Sequence, residues 1–189
     1  MLKLTSFIIL ILMPTIIGCS ARPQPAPVAP TPAAAKEGQL RLISSAFQEG
    51  QPIPSQYTCK GVNVSPPLEW GSGPKTAKTI TIIADDPDAP GGTWVHWVLY
   101  NLPSDNIGLV ENLPPTEDLK AGGFQGKNDF GKIGYGGPCP PSGTHRYVFK
   151  VYAVDTGLDL KAGATKAEVE KAMEGHVVGQ TQLVGTYKK

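Results

Sequence analysis

Acidic, histidine and proline residues are concentrated in two separated stretches of the chain. DDPDAP at 85–90 and WVHW at 94–97 form the first stretch, and GPCPPSGTHRY at 137–147 forms the second. Carboxylates and imidazoles are costly to bury without partners, so we expect the fold to gather them around one cavity. The pattern therefore predicts a small pocket that holds a polar ligand.

The first 18 residues are typical of an export signal. Lys3 is the single early charge, and residues 4–17 are nearly all apolar. Gly18 directly before Cys19 resembles the lipobox of bacterial lipoproteins, in which cleavage leaves the cysteine as a lipidated N-terminus. An uncleaved anchor is disfavoured because the apolar run is shorter than the roughly 20 residues that span a bilayer. We predict a lipoprotein signal peptide over 1–18 and lipidation of Cys19.

Residues 19–38 are rich in proline and alanine, and Val28 is their single large apolar side chain. This composition predicts an extended tether up to about 60 Å long, rather than a PxxP docking segment. One folded domain then covers 39–189. The lipid would hold it in the bacterial cell envelope, on the periplasmic face of the outer membrane or the outer face of the cell membrane.

The charge balance excludes nucleic acid as a partner. The chain has 17 basic and 16 acidic residues, so removal of Lys3 with the signal peptide leaves the two numbers equal. No basic run is present that could neutralise a phosphate backbone.

Cysteine usage fits an exported protein. Once Cys19 carries lipid, Cys59 and Cys139 are the two cysteines that remain. In an oxidising compartment, either a disulfide or two buried thiols explains the pair.

Strand patterns dominate the domain and predict a mostly β, two-sheet sandwich. The strand-like runs are 40–43, 79–83, 94–100 and 147–154. Simple alternation places His145 on one face with Tyr147, Phe149 and Val151. In the strand 94–100, the same rule places His96 on one face with Trp94, Val98 and Tyr100. The other face then carries Val95, Trp97 and Leu99. Both histidines are then expected at the rim of a buried face.

Residues 165–168 have the capping-box order that begins a helix, and Gly175 is a stop signal. The tail 176–187 is ambiguous between a short helix and a strand. The glycine-rich segment 120–143 holds four large apolar side chains, which favour an ordered functional loop over a mobile one.

DPDAP at 86–90, WVHW at 94–97 and GYGGPCPPSGTHRYVFKVYAVD at 134–155 resemble the two signature regions of the phosphatidylethanolamine-binding protein family. Likeness at 57–70 and 172–187 extends the match over everything after the tether, closest to the bacterial Raf kinase inhibitor-like branch. The resemblance implies a large antiparallel sheet packed against a smaller one, with short peripheral helices and no metal or organic cofactor.

The resemblance also implies a shallow anion pocket. Its motifs carry ligand-binding roles over to Asp86, Asp88, Pro90, His96, Pro140, His145 and Tyr147. Imidazole N–H and tyrosine hydroxyl groups can donate to phosphate oxygens, while a carboxylate can orient a histidine or pair with an ammonium group. Arg146 falls on the opposite side of its strand, where we expect a structural salt bridge.

These features predict a non-enzymatic binding protein for a phospholipid headgroup or another small phosphorylated ligand. The alternative is an inhibitor of a protein partner, as in relatives that act on kinases or peptidases. Phosphoester hydrolysis is less favoured because GxSxG, HExxH and CxxC motifs are absent. Zinc binding by Cys59, Cys139 and the two histidines is also disfavoured, since the short paired spacings of structural zinc sites are missing.

Overall fold

The computed structural model of the protein describes residues 38–189. The predicted signal peptide, Cys19 and the tether up to residue 37 lie outside the described residues. Among residues 38–189, no helix has the length and apolar character needed to cross a membrane.

The described chain is mostly β and is built on one large and one small antiparallel sheet, as predicted. The large sheet has the strand order β5-β3-β2-β6-β7, and the small sheet pairs β1 with β4. A 3₁₀ turn at Ser55–Tyr57 and one α-helix, α1 (Lys166–Met173), complete the regular elements. The strands are β1 (Leu68–Glu69), β2 (Thr79–Asp86), β3 (Trp94–Pro103), β4 (Gly108–Leu109), β5 (Phe124–Gln125), β6 (Thr144–Val154) and β7 (Val177–Lys188).

Strand β2 lies at the centre of the large sheet and is covered on both faces. Ile80 and Ile82 belong to the larger apolar cluster, whereas Ile83 belongs to a second cluster. This arrangement explains why every residue of β2 from Ile80 to Asp86 is buried, instead of every second residue. Strand β2 pairs with β3 on one side and with β6 on the other. The first residues of β3 and β6 therefore lie beside the last residues of β2.

The segment 40–43 does not form the predicted strand. Ile43 makes a single bridge to Glu69, with backbone N–O distances of 2.8 and 2.9 Å. The chain then turns, because the Ser44 hydroxyl donates to the Pro67 carbonyl and accepts from the Ala46 N–H. Leu40 and Leu42 are nevertheless buried in the larger cluster, so the apolar pattern was correct and the pairing was not.

Helix α1 begins with the predicted capping box. The Thr165 hydroxyl accepts from the Glu168 N–H, and the Glu168 carboxylate accepts from the Thr165 N–H. Gly175, with a φ of 79°, follows the helix end. The ambiguous tail is a strand: β7 pairs with β6 along its whole length, from Thr144–Lys188 to Val154–Val177.

A β-bulge at His96 makes the predicted alternation wrong at the start of β3, although the alternation holds from Trp97 to Tyr100. Trp97 is opposite Ala84 and Val95 is opposite Asp85, so His96 is an extra residue without a partner in β2. Val95 therefore packs with Val98 and Tyr100, whereas Trp97 and Leu99 pack in the other cluster. In β6, which has no bulge here, the predicted face of Tyr147, Phe149 and Val151 is confirmed.

The glycine-rich loop is ordered by side chains that bond to its backbone. Asn128 donates to the Gly134 carbonyl and accepts from the Phe130 and Lys132 N–H groups. Cys139 forms a disulfide with Cys59, with the Cα atoms 5.4 Å apart. The loop is thereby joined to the turn at residues 58–63.

Candidate functional site

The β framework brings the predicted site residues to one end of the large sheet. Asp86 is the last residue of β2, His96 is near the start of β3, and His145 and Tyr147 are near the start of β6. A cavity of about 510 Å³ opens at this end. Its lining comprises Asp86, His96, Trp94, Asp129, Phe130, Cys139 and the segment 89–93, together with Pro140 and Pro141.

Asp86 and His145 form a buried pair in which Asp86 lines the cavity and His145 lies outside the lining. Nδ1 of His145 lies 2.7 Å from Oδ2 of Asp86, and Oδ1 of Asp86 accepts from the Asp88 N–H at 2.8 Å. The carboxylate thus fixes the imidazole by accepting its Nδ1–H, which sets the orientation of Nε2. Asp86 acts as the residue that orients a histidine, one of the two roles predicted for a carboxylate here.

His96 is held by Gly136 through both its backbone and its ring. The Gly136 N–H donates to the His96 carbonyl at 2.8 Å, and Nδ1 of the ring lies 2.5 Å from the Gly136 carbonyl oxygen. A carbonyl only accepts, so Nδ1 carries a proton. Burial lowers the pKa of His96, and the Gly136 bond and the nearby Asp86 charge offset this only in part. The neutral ring therefore offers a lone pair at Nε2.

Tyr147 supplies a buried donor. Its ring packs edge-on against His96, with centroids 5.1 Å apart, and its hydroxyl lies near the Asp86 carboxylate without a hydrogen bond of good geometry. Burial raises the pKa of Tyr147, and the charge and proximity of the Asp86 carboxylate raise it further. The hydroxyl therefore stays protonated and can donate to Asp86 or to a ligand oxygen.

Asp88 is not among the residues that line the cavity. Its carboxylate takes a bidentate contact from Arg146, with Nε to Oδ2 at 2.9 Å and a terminal nitrogen to Oδ1 at 2.7 Å. These bonds, with a backbone bond from the Arg146 N–H, lower the pKa of Asp88 to about 2. Arg146 thus forms the expected salt bridge, and Asp88 is its partner rather than a group aimed at a ligand.

Comparison with known proteins identifies the family. The family model described as phosphatidylethanolamine-binding protein matches residues 43–188. The chain belongs to the phosphatidylethanolamine-binding protein family. A UPF0098 protein of Methanothermobacter thermautotrophicus is 53% identical over 150 residues, which cover 79% of this chain and 99% of that protein.

Two solved structures of the phosphatidylethanolamine-binding protein family share the fold. A putative homologue from Chlamydia trachomatis has a TM-score of 0.74 and 40% identity, covering 81% of this chain and 99% of its own. YbcL of E. coli, described as a new member of the mammalian family, has a TM-score of 0.74 and 30% identity, covering 80% and 99%. The described domain therefore corresponds to nearly the whole of each relative.

The structure adds lining residues that the motif-based prediction missed. Phe130 stacks edge-on with both His96 and Trp94, at centroid distances of 5.3 and 5.5 Å. Asp129 accepts from the Val95 N–H at 2.7 Å. Phe130 and Asp129 lie in the glycine-rich loop that was predicted to be functional, but the sequence contained no signal for which loop residues would reach His96.

The charge of the cavity lining is acidic. Two aspartates, Asp86 and Asp129, line the cavity. Among the residues that the structure describes, no Lys or Arg lines it. Within residues 38–189, no group of three or more His, Cys, Asp or Glu side chains could hold a metal ion. An anion that enters must therefore rely on uncharged donors, on a proton taken up with it, or on a cation of its own.

Proposed function

We propose that this member of the phosphatidylethanolamine-binding protein family binds a small phosphoryl-bearing ligand without transforming it, while Cys19 tethers it to the cell envelope. The observation that carries the proposal is the His96 ring. The ring lines the cavity, and its Nδ1–H donates to the Gly136 carbonyl. Its Nε2 makes no hydrogen bond with any described residue. The protonated Tyr147 hydroxyl, whose ring packs against His96, is a second possible donor.

A neutral His96 binds phosphate together with a proton. Nε2 can accept from a P–OH group, or it can take up a proton and then donate to a phosphate oxygen. Both routes add one proton to the complex, so affinity should rise as the pH falls. The two carboxylates of the lining favour a ligand whose phosphoryl group carries an ammonium group, because the cation offsets their repulsion.

Neither histidine has the partners that hydrolysis by a serine nucleophile requires. Ser142, three residues before His145, makes no hydrogen bond to the His145 ring in the described structure, and a serine nucleophile requires such a bond to its base. His96, unlike His145, is held by a backbone carbonyl and not by a carboxylate that would stabilise an imidazolium.

Calorimetric titration of the full-length protein with phosphoethanolamine and with inorganic phosphate, between pH 5 and pH 8, tests the proposal. Binding should strengthen as the pH falls, and His96→Ala with His145→Ala should abolish it. His176→Ala is the matched control, because this third histidine is exposed and pairs with Asp155 at the far end of β7. Unchanged affinity in the double variant would rule the site out.

A further inference from the structure

A second cavity, of about 460 Å³, lies on the other face of the large sheet. Its lining residue Val148 alternates in β6 with Tyr147 and Phe149, which face the larger apolar cluster. Among the described residues, Thr93 alone lines both this second cavity and the cavity beside His96. Binding in the second cavity can therefore be measured separately from binding at His96.

Two lysines of the second cavity share one buried carboxylate. Asp85 is 1% exposed, and its Oδ2 lies 3.0 Å from Nζ of Lys150 and 2.6 Å from Nζ of Lys166. Each ammonium group has three N–H donors, and a single carboxylate neutralises only one of the two charges. Glu170, four residues after Lys166, is exposed and lies farther away, at 3.6 Å. The two lysines therefore retain N–H donors and positive charge for a second carboxylate.

The register of the large sheet places two valines beside these lysines. Asp85 is opposite Val148 of β6, and Val148 is opposite Val184 of β7, so the three residues form one row across the sheet. Both valines line the second cavity, and among the described residues they belong to neither apolar cluster. Neighbouring strands are about 4.8 Å apart, so the row is about 10 Å long. A cationic end and a half-buried apolar row match a short carbon chain that ends in an anionic group.

The other charged groups of the lining already have partners. Arg146 pairs with Asp88, and the carboxylate of Glu49 accepts from the Val184 N–H. The Glu49 charge repels a dianion about twice as strongly as it repels a monoanion. The second cavity therefore favours a ligand with one negative charge over phosphate.

From these contacts we infer that the second cavity binds a short-chain monocarboxylate. The ligand carboxylate contacts Nζ of Lys150 and Nζ of Lys166, and its carbon chain lies along Val148 and Val184. Asp85 holds the two ammonium groups in position and does not contact the ligand. Such a site needs no phosphoryl group, so it does not depend on the function proposed for the cavity beside the histidine ring.

Methyl NMR of the full-length protein, with labelled valines and butyrate as the probe, tests the site directly. The methyl signals of Val148 and Val184 should shift and saturate as butyrate is added. The compound 1-butanol has the chain without the charge, and inorganic phosphate has charge without the chain, so each should shift these signals much less. Val177 is an internal reference, because it is 40% exposed at the start of β7 and does not line the cavity.

Matched variants identify the groups that hold the carboxylate. Lys150→Met should weaken butyrate binding about tenfold, because a hydrogen bond between charged groups is lost. Asp85 keeps its contact with Lys166 in this variant, so the domain should remain folded. Lys171→Met is the control, since Lys171 is exposed on α1 but does not line the cavity. His96→Ala should bind butyrate normally, and Lys150→Met should bind phosphate normally.

Three results would overturn the inference. They are valine signals that do not move with butyrate, signals that move as strongly with 1-butanol or phosphate, and unchanged butyrate affinity in Lys150→Met. If butyrate shifts Val148 and Val184 but phosphate does not bind at His96, the second cavity stands and the proposed function fails. The reverse result removes the second cavity alone.

Discussion

Nδ1 of His145 lies 2.7 Å from Oδ2 of Asp86, and both side chains are buried where β2 and β6 meet. The pair joins two neighbouring strands directly behind the cavity. The same carboxylate caps the turn after β2 by accepting the Asp88 N–H. Asp86 therefore orients His145 and also stabilises the turn after β2.

Asp86→Ala should destabilise the domain by about 3 kcal/mol, because it leaves a buried imidazole and a turn N–H without their acceptor. The free energy of unfolding in urea measures this loss. Asp88→Ala is the matched control: it removes a carboxylate of the same turn, but one in an exposed ion pair, and should cost less. Equal losses would contradict the structural role of Asp86.

His96 should make the domain less stable in mild acid. Burial lowers the pKa of His96 in the folded protein. Below about pH 6.5 the unfolded chain therefore binds a proton at this residue that the folded protein does not, and the free energy of unfolding falls. Phosphate should raise the pKa of His96, whereas the exposed His176 should not respond. Titration of the three imidazoles by NMR, with and without phosphate, measures both effects; a phosphate response at His176 and none at His96 would count against the site.

The Asp88 carboxyl should titrate near pH 2 in the folded protein and closer to its usual value in Arg146→Ala. Arg146 lowers this pKa, so the stabilisation from the pair is complete above about pH 4 and is lost as the pH falls through about 2. Carboxyl chemical shifts in the two proteins measure the change. An unaltered titration in Arg146→Ala would show that the ion pair does not persist in solution.

Replacement of both cysteines by serine, Cys59→Ser with Cys139→Ser, should destabilise the protein by up to about 4 kcal/mol, because the disulfide closes a loop of 80 residues. Cys139 also lines the cavity, so phosphate affinity should fall with stability. Thermal unfolding and calorimetry report the two effects. Full phosphate affinity in the folded variant would mean that the disulfide does not shape the site.

The proposed lipidation of Cys19 predicts a modified protein that can be detected directly. Full-length protein made in bacteria with radiolabelled palmitate should incorporate the label and fractionate with membranes. Cys19→Ser should abolish both the label and removal of residues 1–18, as judged by mass. Labelling that survives Cys19→Ser would assign the lipid elsewhere or refute the anchor.

Local sequence patterns and family motifs predicted several features of the structure. The capping box of α1, the long strands β2 and β6, and the meeting of Asp86, His96, His145 and Tyr147 all followed from residue type, order and family motif. The position of Asp88 could not be read in this way, because a carboxylate in a turn can face either a ligand or an arginine. The contact with Arg146, between β6 and the turn after β2, fixes the Asp88 carboxylate.

Two other features depended on tertiary packing that periodicity does not encode. The bulge at His96 moves Val95 to the face opposite the one that alternation predicts, and nothing in WVHW marks which residue is extra. The tail was ambiguous because its assignment as a strand depends on the open edge of β6, which it covers along its full length. In both cases the partner strand, not the segment itself, determined the outcome.

The bulge leaves His96 to pair with the glycine-rich loop. His96 has no partner in β2. Its carbonyl accepts from the Gly136 N–H, and its ring Nδ1–H donates to the Gly136 carbonyl. Gly136 has no room for a side chain, since an added Cβ would lie 2.6 Å from the Phe130 ring. A ligand that orders His96 should therefore also order Gly136, and slowed amide exchange at that glycine is expected when the cavity is filled.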